Sequence, residues 1–259
     1  MALDATEVRV ERLQVPGSGL AATRTHAPGV PGALFVHGWT GSRQDMAGPM
    51  AEVAALGYAC LDYDLRGHGA TAAEHDSVTP RQSLDDLAAA YDALAATPGL
   101  DAGAIAVVGT SFGAWLAALL TRERPVRWLA LRVPALYPDE CWDRPKAAMD
   151  AGALARYRRR PPSPETDRAL AACARYDGDV LLVWSGRDEV LPPGIADAFQ
   201  TAFPRARSLT VRRLRDADHA LTGARQRREY RTLLAAWLGD LLRHHRRTAL
   251  AAGLGADPG

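Results

Sequence analysis

Short apolar runs alternate along this chain with stretches in which apolar residues recur every three or four positions. Ala33-Leu34-Phe35-Val36, Tyr58 to Tyr63, Ala104-Ile105-Ala106-Val107-Val108, Arg127-Trp128-Leu129-Ala130-Leu131 and Val180-Leu181-Leu182-Val183-Trp184 have strand length and little alternation. Such runs suit strands buried on both faces of a parallel sheet. Gln44 to Leu56, Pro80 to about Ala96, Ala114 to Leu120, Pro193 to Phe203 and Thr222 to about His245 carry helical spacing instead. Ser208 to Leu214 predicts one more strand. Val8 to Val15 alternates like a half-exposed strand, Pro16-Gly17-Ser18-Gly19 turns, and Leu20 to Thr25 returns as a hairpin. Punctuation agrees with the periodicity. Gly57 closes the first helix, and Thr79-Pro80-Arg81-Gln82 offers an N-cap, a proline at the first helical position and a capping-box glutamine.

Strand–helix alternation over this length predicts an α/β fold: a mostly parallel sheet of about eight strands, helices on both faces, and the hairpin at one edge. The expected domain is single and spans 1–250. Residues 133–177 break the rhythm with several prolines and the run Arg158-Arg159-Arg160-Pro161-Pro162, and read as a cap-like insertion after the sixth strand. Residues 251–259 read as a flexible C-terminal tail.

Composition mainly excludes. A net charge of +1 gives no global field selecting nucleic acid or an anionic membrane. No apolar run reaches the roughly 18 residues of a membrane span, and Met1 to Glu7 lacks the basic-then-apolar order of a signal peptide. Three dispersed cysteines, Cys60, Cys141 and Cys173, fit a reducing, cytoplasmic setting. Neither cysteines nor histidines show metal-ligand spacing, so no metal and no cofactor are expected.

The chemistry concentrates at Gly109-Thr110-Ser111-Phe112-Gly113, between a predicted strand and a predicted helix. A G-x-S-x-G there is a nucleophile elbow, a strained turn that lifts the serine Oγ above the sheet edge. Elsewhere the same letters make only a helix N-cap with loop glycines; the flanking pattern separates the two readings. In open α/β sheets, sites form at the carboxyl ends of strands, and the other candidates follow strands too. Asp188 comes after Val180–Trp184, and His219 after Ser208–Leu214. Their chain order, Ser–Asp–His, is that of hydrolases on this kind of sheet. His219 would take the Ser111 proton, and Asp188 would fix the imidazole tautomer. His26, His75, His244 and His245 fall in hairpin, loop or terminal segments, and His37 and His68 in other motifs. Asp216 and Asp218 rival Asp188 but sit beside His219 in its own loop. His37-Gly38-Trp39 ends the third strand, and its loop can set the Trp39 N–H opposite the Phe112 N–H as an oxyanion hole.

With His37-Gly38-Trp39, Asp64-x-Arg66-Gly67-His68-Gly69, the elbow, Gly186-Arg187-Asp188 and Asp218-His219 in this order, nearly the whole chain resembles the α/β-hydrolase superfamily. A serine at the elbow resembles the esterases, lipases, thioesterases and peptidases, and departs from the dehalogenase and epoxide-hydrolase branches, which use Asp there. The small insertion and the Arg66–Gly69 loop are most similar to dienelactone-hydrolase-like and cinnamoyl-esterase-like carboxylesterases. The resemblance implies a serine carboxylesterase acting on a small or medium ester, with no nucleic-acid or membrane partner. A peptidase or thioesterase of the same fold, or a ligand-binding protein that has lost catalysis, are the alternatives. Tyr137, Trp142 and Tyr157 are expected to line the substrate pocket with Trp39 opposite, unless they only pack the insertion. Arg156, Arg158, Arg159 and Arg160 either attract an acidic substrate or form a solvated face.

Overall fold

Side chains that alternate along each central strand go to two different cores. Ala33 and Phe35 pack on one side of the sheet with Ala106, Val108, Leu181 and Val183. Leu34 and Val36 pack on the other with Val107, Val180 and Leu182. Both faces are covered, which is why these strands read as continuous apolar runs. The structure is a computed structural model and describes residues 9–26 and 30–254.

Among these residues eight strands form one sheet in the order β1-β2-β4-β3-β5-β6-β7-β8. They are β1 Arg9–Gln14, β2 Ala21–His26, β3 Val30–Val36, β4 Ala59–Tyr63, β5 Leu100–Thr110, β6 Trp128–Arg132, β7 Asp179–Ser185 and β8 Ser208–Leu214. The β1–β2 hairpin is antiparallel and β2 joins β4 antiparallel; from β4 to β8 every neighbour is parallel. This is the expected α/β-hydrolase arrangement. Among the described residues seven α-helices accompany it: α1 Gln44–Ala55, α2 Pro80–Ala95, α3 Phe112–Leu120, α4 Ala151–Arg159, α5 Arg168–Cys173, α6 Pro193–Thr201 and α7 Ala224–Leu254. α1 and α7 share one face; α2, α3, α5 and α6 cover the other.

Local chemistry accounts for these elements. The Thr79 Oγ1 accepts the Gln82 N–H at 3.2 Å while the Gln82 Oε1 accepts the Thr79 N–H at 2.9 Å, completing the capping box at the start of α2. α3 is buried at every position, as a helix apolar all round must be. In α7, Tyr230, Leu234, Leu238 and Leu242 form a stripe at a spacing of four and face the sheet.

Three boundaries differ from the expectation. β5 starts four residues before the apolar run: Leu100 and Asp101 pair with Val30 and Pro31, while Asp101, Ala102 and Gly103 are exposed and lie outside the buried run. Within 133–177, two short helices, α4 and α5, form where the prolines obscured any period. α7 continues to Leu254, so residues 251–254 of the expected tail are helical, and residues 255–259 lie outside the described residues. No helix among the described residues is long and apolar enough to cross a membrane.

Candidate active site

Ser111 sits between the last residue of β5 and the first of α3 with φ 52° and ψ −110°, outside the usual regions for a side-chain-bearing residue. Two glycines make this turn possible. A Cβ on Gly109 would fall 2.5 Å from the Gly113 carbonyl oxygen, and one on Gly113 would collide with the carbonyls of Val36 and His37. The elbow is held from below as well. The Ser111 N–H donates to the Arg132 carbonyl at 2.9 Å, and the Ser111 carbonyl accepts the Trp115 N–H at 3.0 Å. Val133, which follows β6, is itself at φ 40°, a rare conformation for a β-branched residue.

The structure brings the three candidate side chains together. His219 Nε2 lies 3.0 Å from Ser111 Oγ, and His219 Nδ1 lies 2.8 Å from Asp188 Oδ2. A carboxylate only accepts, so Nδ1 donates to Asp188 and Nε2 is left to accept the Ser111 hydroxyl proton. The other Asp188 oxygen accepts the N–H groups of Val190 and Leu191 at 2.9 and 3.0 Å. Burial pushes the Asp188 pKa up, but the His219 contact and these two N–H groups outweigh it, and the net shift is downward.

Both rival carboxylates are engaged elsewhere. Asp218 accepts the Thr222 N–H at 2.9 Å and bonds the Thr222 hydroxyl. Asp216 pairs with Arg187 at 3.1 Å and Arg225 at 2.6 Å. His245 is committed to Asp101 at 2.9 Å.

The loop after β3 meets the elbow closely. A Cβ on Gly38 would lie 3.4 Å from the Ser111 Cβ. The Trp39 and Phe112 rings pack edge to face at 5.3 Å. Neither backbone N–H of these two residues donates to another group among the described residues. His37, fully buried, orders this loop: its Nδ1 donates to the Gly38 carbonyl at 2.7 Å and its Nε2 accepts the Leu65 N–H at 2.9 Å. His68 bonds the Trp39 carbonyl through Nε2. The Arg66 guanidinium forms a two-pronged pair with Asp86, at 2.9 and 2.7 Å, and Asp64 accepts the Arg43 N–H at 2.9 Å. The Asp64–Gly69 motif thus braces the loops around the site.

Burial lowers the His37 pKa from 6.5 to about 4. The unfolded chain therefore holds more protons than the folded one between these values, and stability is lost as pH falls from about 6.5 to 4. His37 alone accounts for a loss on the order of 3 kcal/mol across that window. Urea unfolding at pH 7 and pH 4.5 checks this. His37→Gln will be less stable at pH 7 but show a flatter pH dependence; equal losses in both proteins would place the acid sensitivity elsewhere.

One contributor has no sequence signature. Arg132, buried at the end of β6, donates from Nη1 to the His219 carbonyl at 2.8 Å and stacks on Tyr230 at 5.8 Å. Burial lowers its pKa. Ser185 holds the same loop through a 2.7 Å bond to the Asp218 carbonyl. Together they fix the loop that carries His219.

The expected pocket aromatics divide. Trp39 is half-buried, and Tyr137 lies against Phe112 at 5.3 Å. Trp142 is buried. It packs on Trp115 at 5.8 Å, lies between Arg81 and Arg168, and lines a surface cavity of about 300 Å³ between α3 and α5 that Ser111 does not border. Tyr157 bonds Asp167 and stacks under Arg160 at 4.0 Å, inside the insertion. In both, the ring face is used by an arginine, so packing decides their position. No group of residues suited to hold a metal ion occurs among the described residues.

Comparison with known proteins bears on the family and the fold. Residues 33–160 match a family described as serine aminopeptidase, S33. A curated relative, an epoxide hydrolase from Caballeronia sordidicola, is 28% identical over 130 residues, covering 48% of this chain and 38% of that protein. Among solved structures, the ferulic-acid complex of Est1E from Butyrivibrio proteoclasticus is 17% identical with a TM-score of 0.64, covering 87% of this chain and 97% of that one. The esterase domain of a Rhodothermus marinus protein is 20% identical with a TM-score of 0.64, covering 90% and 99%. Dienelactone hydrolase from Anabaena variabilis is 19% identical with a TM-score of 0.63, covering 90% and 97%. The sheet order, the match over residues 33–160 and these neighbours show the α/β-hydrolase fold.

Proposed function

We propose that the protein is a serine hydrolase cleaving carboxylic esters of small or medium size. The observation that carries this reading is the continuous hydrogen-bonded line Asp188–His219–Ser111 at 2.8 and 3.0 Å. In the proposed reaction the Ser111 Oγ attacks the ester carbonyl carbon as His219 Nε2 takes its proton. Asp188 stabilises the resulting imidazolium. The tetrahedral oxyanion is met by the N–H groups of Trp39 and Phe112, each worth roughly 3 kcal/mol or more in comparable sites. Collapse breaks the ester C–O bond, and the imidazolium protonates the leaving alkoxide. A water, deprotonated by the same imidazole, then releases the acid and restores Ser111. No cofactor enters these steps. A cytoplasmic location belongs to the same proposal.

A second reading has one observation behind it: the matching family is described as a serine aminopeptidase. It keeps the nucleophile and changes the leaving group to an amine. The similarity to a protein named an epoxide hydrolase bears on the fold more than the chemistry, because the elbow of this chain holds a serine where that branch uses a carboxylate. The test is a panel of p-nitrophenyl esters of increasing acyl length beside aryl esters, a thioester and amino-acid amides, with a fluorophosphonate probe on the same sample. Ester turnover with label on Ser111 is expected. Amides turned over faster than esters would favour the peptidase, and neither label nor turnover would leave a non-catalytic binding protein.

A further inference from the structure

The insertion delivers a buried cation to the rim of the candidate active site. Lys146 follows Pro145 in a short turn, and its backbone N–H donates to the Val78 carbonyl at 2.8 Å. The residue is only 9% exposed. Its Nζ lies 4.8 Å from the centre of the Trp39 ring, 5.0 Å from Tyr137 and 5.8 Å from Phe112. Two of these rings belong to the residues proposed to supply the oxyanion hole. The ammonium is thus lodged among aromatic faces directly beside the elbow.

A second cation shares one of those rings. Arg158 places its guanidinium 5.0 Å from the centre of Tyr137 and donates from Nε to the Leu136 carbonyl at 3.2 Å. The other arginines of this run behave differently. Arg156 pairs with Asp150 and Arg160 with Asp167, while Arg159 is exposed. Among the described residues no carboxylate pairs with Lys146 or Arg158. Buried cations are ordinarily paired, because removing a charge from water without a counter-ion is costly. Ring faces compensate only part of that cost. Burial, and then the nearby Arg158, hold the Lys146 pKa down to about 8, as expected of a cation short of a counter-ion.

We infer that Lys146 and Arg158 form an anion subsite next to Ser111, and that the substrate is an ester carrying a free carboxylate. This rests on the reading of Ser111 as the nucleophile. The carboxylate would take the place of the missing counter-ion, and the aromatic box would hold the methylene chain between it and the ester. The acid group can belong to the acyl part or to the alcohol part.

Two pairs matched in carbon-chain length test the subsite. Monoethyl adipate against ethyl hexanoate places the carboxylate on the acyl side. Acetoxybutanoate against butyl acetate places it on the alcohol side. Turnover is followed by acid release, with fluorophosphonate labelling of Ser111 run on every sample. In one of the pairs the wild type will favour the charged ester by about ten- to a hundredfold in kcat/KM, the range expected for a charge-assisted contact. Lys146→Met, which keeps the apolar stem, will bring that ratio close to one, and Lys146→Arg will restore most of it. Adipate will protect the wild type, but not Lys146→Met, against the fluorophosphonate. A wild type that is labelled and hydrolyses the neutral esters without preferring either charged one overturns the subsite and leaves the hydrolase reading standing. Absence of both label and turnover overturns both. An unchanged ratio in a folded Lys146→Met protein also overturns it.

Discussion

Ser111→Ala will lower kcat for ester hydrolysis by on the order of 10⁶, the loss seen when a comparable triad loses its nucleophile, and the protein will stay folded. The loss follows from the geometry, since among the described residues Ser111 Oγ is the hydroxyl bonded to His219 Nε2. Folding survives because the elbow is held by the backbone. The N–H of residue 111 bonds Arg132, and its carbonyl accepts Trp115 and Ala135. None of these bonds involves the hydroxyl. Alanine has the same Cβ at φ 52°, so the strain of the turn is neither relieved nor increased. Turnover of a p-nitrophenyl ester and thermal melting of the same pure sample check both halves. Near-normal turnover by folded Ser111→Ala would end the assignment of Ser111. A large fall in melting temperature would mean the hydroxyl has a structural part that the hydrogen-bond pattern does not show.

The features legible in the sequence share one property: short-range physics determines them. The elbow is five residues whose glycines are required by contacts within the turn and with the strand beside it. The capping box is four residues bonding among themselves. The central strands announce themselves because both faces are buried. What stayed hidden depends on residues brought together from far apart. Arg132 and His219 are 87 positions apart, and an arginine ending an apolar strand carries no mark of the carbonyl it will meet. Lys146 gives no local sign that three rings will surround it. Trp142 and Tyr157 belong to the insertion expected over Ser111, but arginines from α2, α5 and the end of α4 occupy their faces. The basic run 156–160 split in the same way: Arg158 reaches Tyr137, while Arg156 and Arg160 meet Asp150 and Asp167.

Asp188→Asn will cost on the order of 10⁴ in kcat, the effect of the same change in a comparable triad, while Asp218→Asn will cost a few-fold at most. The two Asp188 oxygens explain the first value. One accepts the N–H groups of Val190 and Leu191, and the other faces His219 Nδ1. An asparagine must give its single carbonyl oxygen to the two backbone donors, since an NH₂ group there would oppose them. Its NH₂ then points at Nδ1 and can only donate. The ring answers by making Nδ1 the acceptor, which moves its proton to Nε2. In that tautomer Nε2 cannot take the Ser111 proton, although every heavy atom remains near its place. Asp218 differs because its side chain turns to Thr222, and only its backbone carbonyl, held by Ser185, supports the His219 loop. Asparagine at 218 can still accept the Thr222 N–H. Steady-state rates of the two purified variants decide the matter, with melting curves to show that each is folded. Full activity in Asp188→Asn together with a large loss in Asp218→Asn would transfer the orienting role to the residue adjacent to the histidine. That outcome would require the loop to reorganise in solution. Asp218 could reach Nδ1 only by abandoning both of its bonds to Thr222.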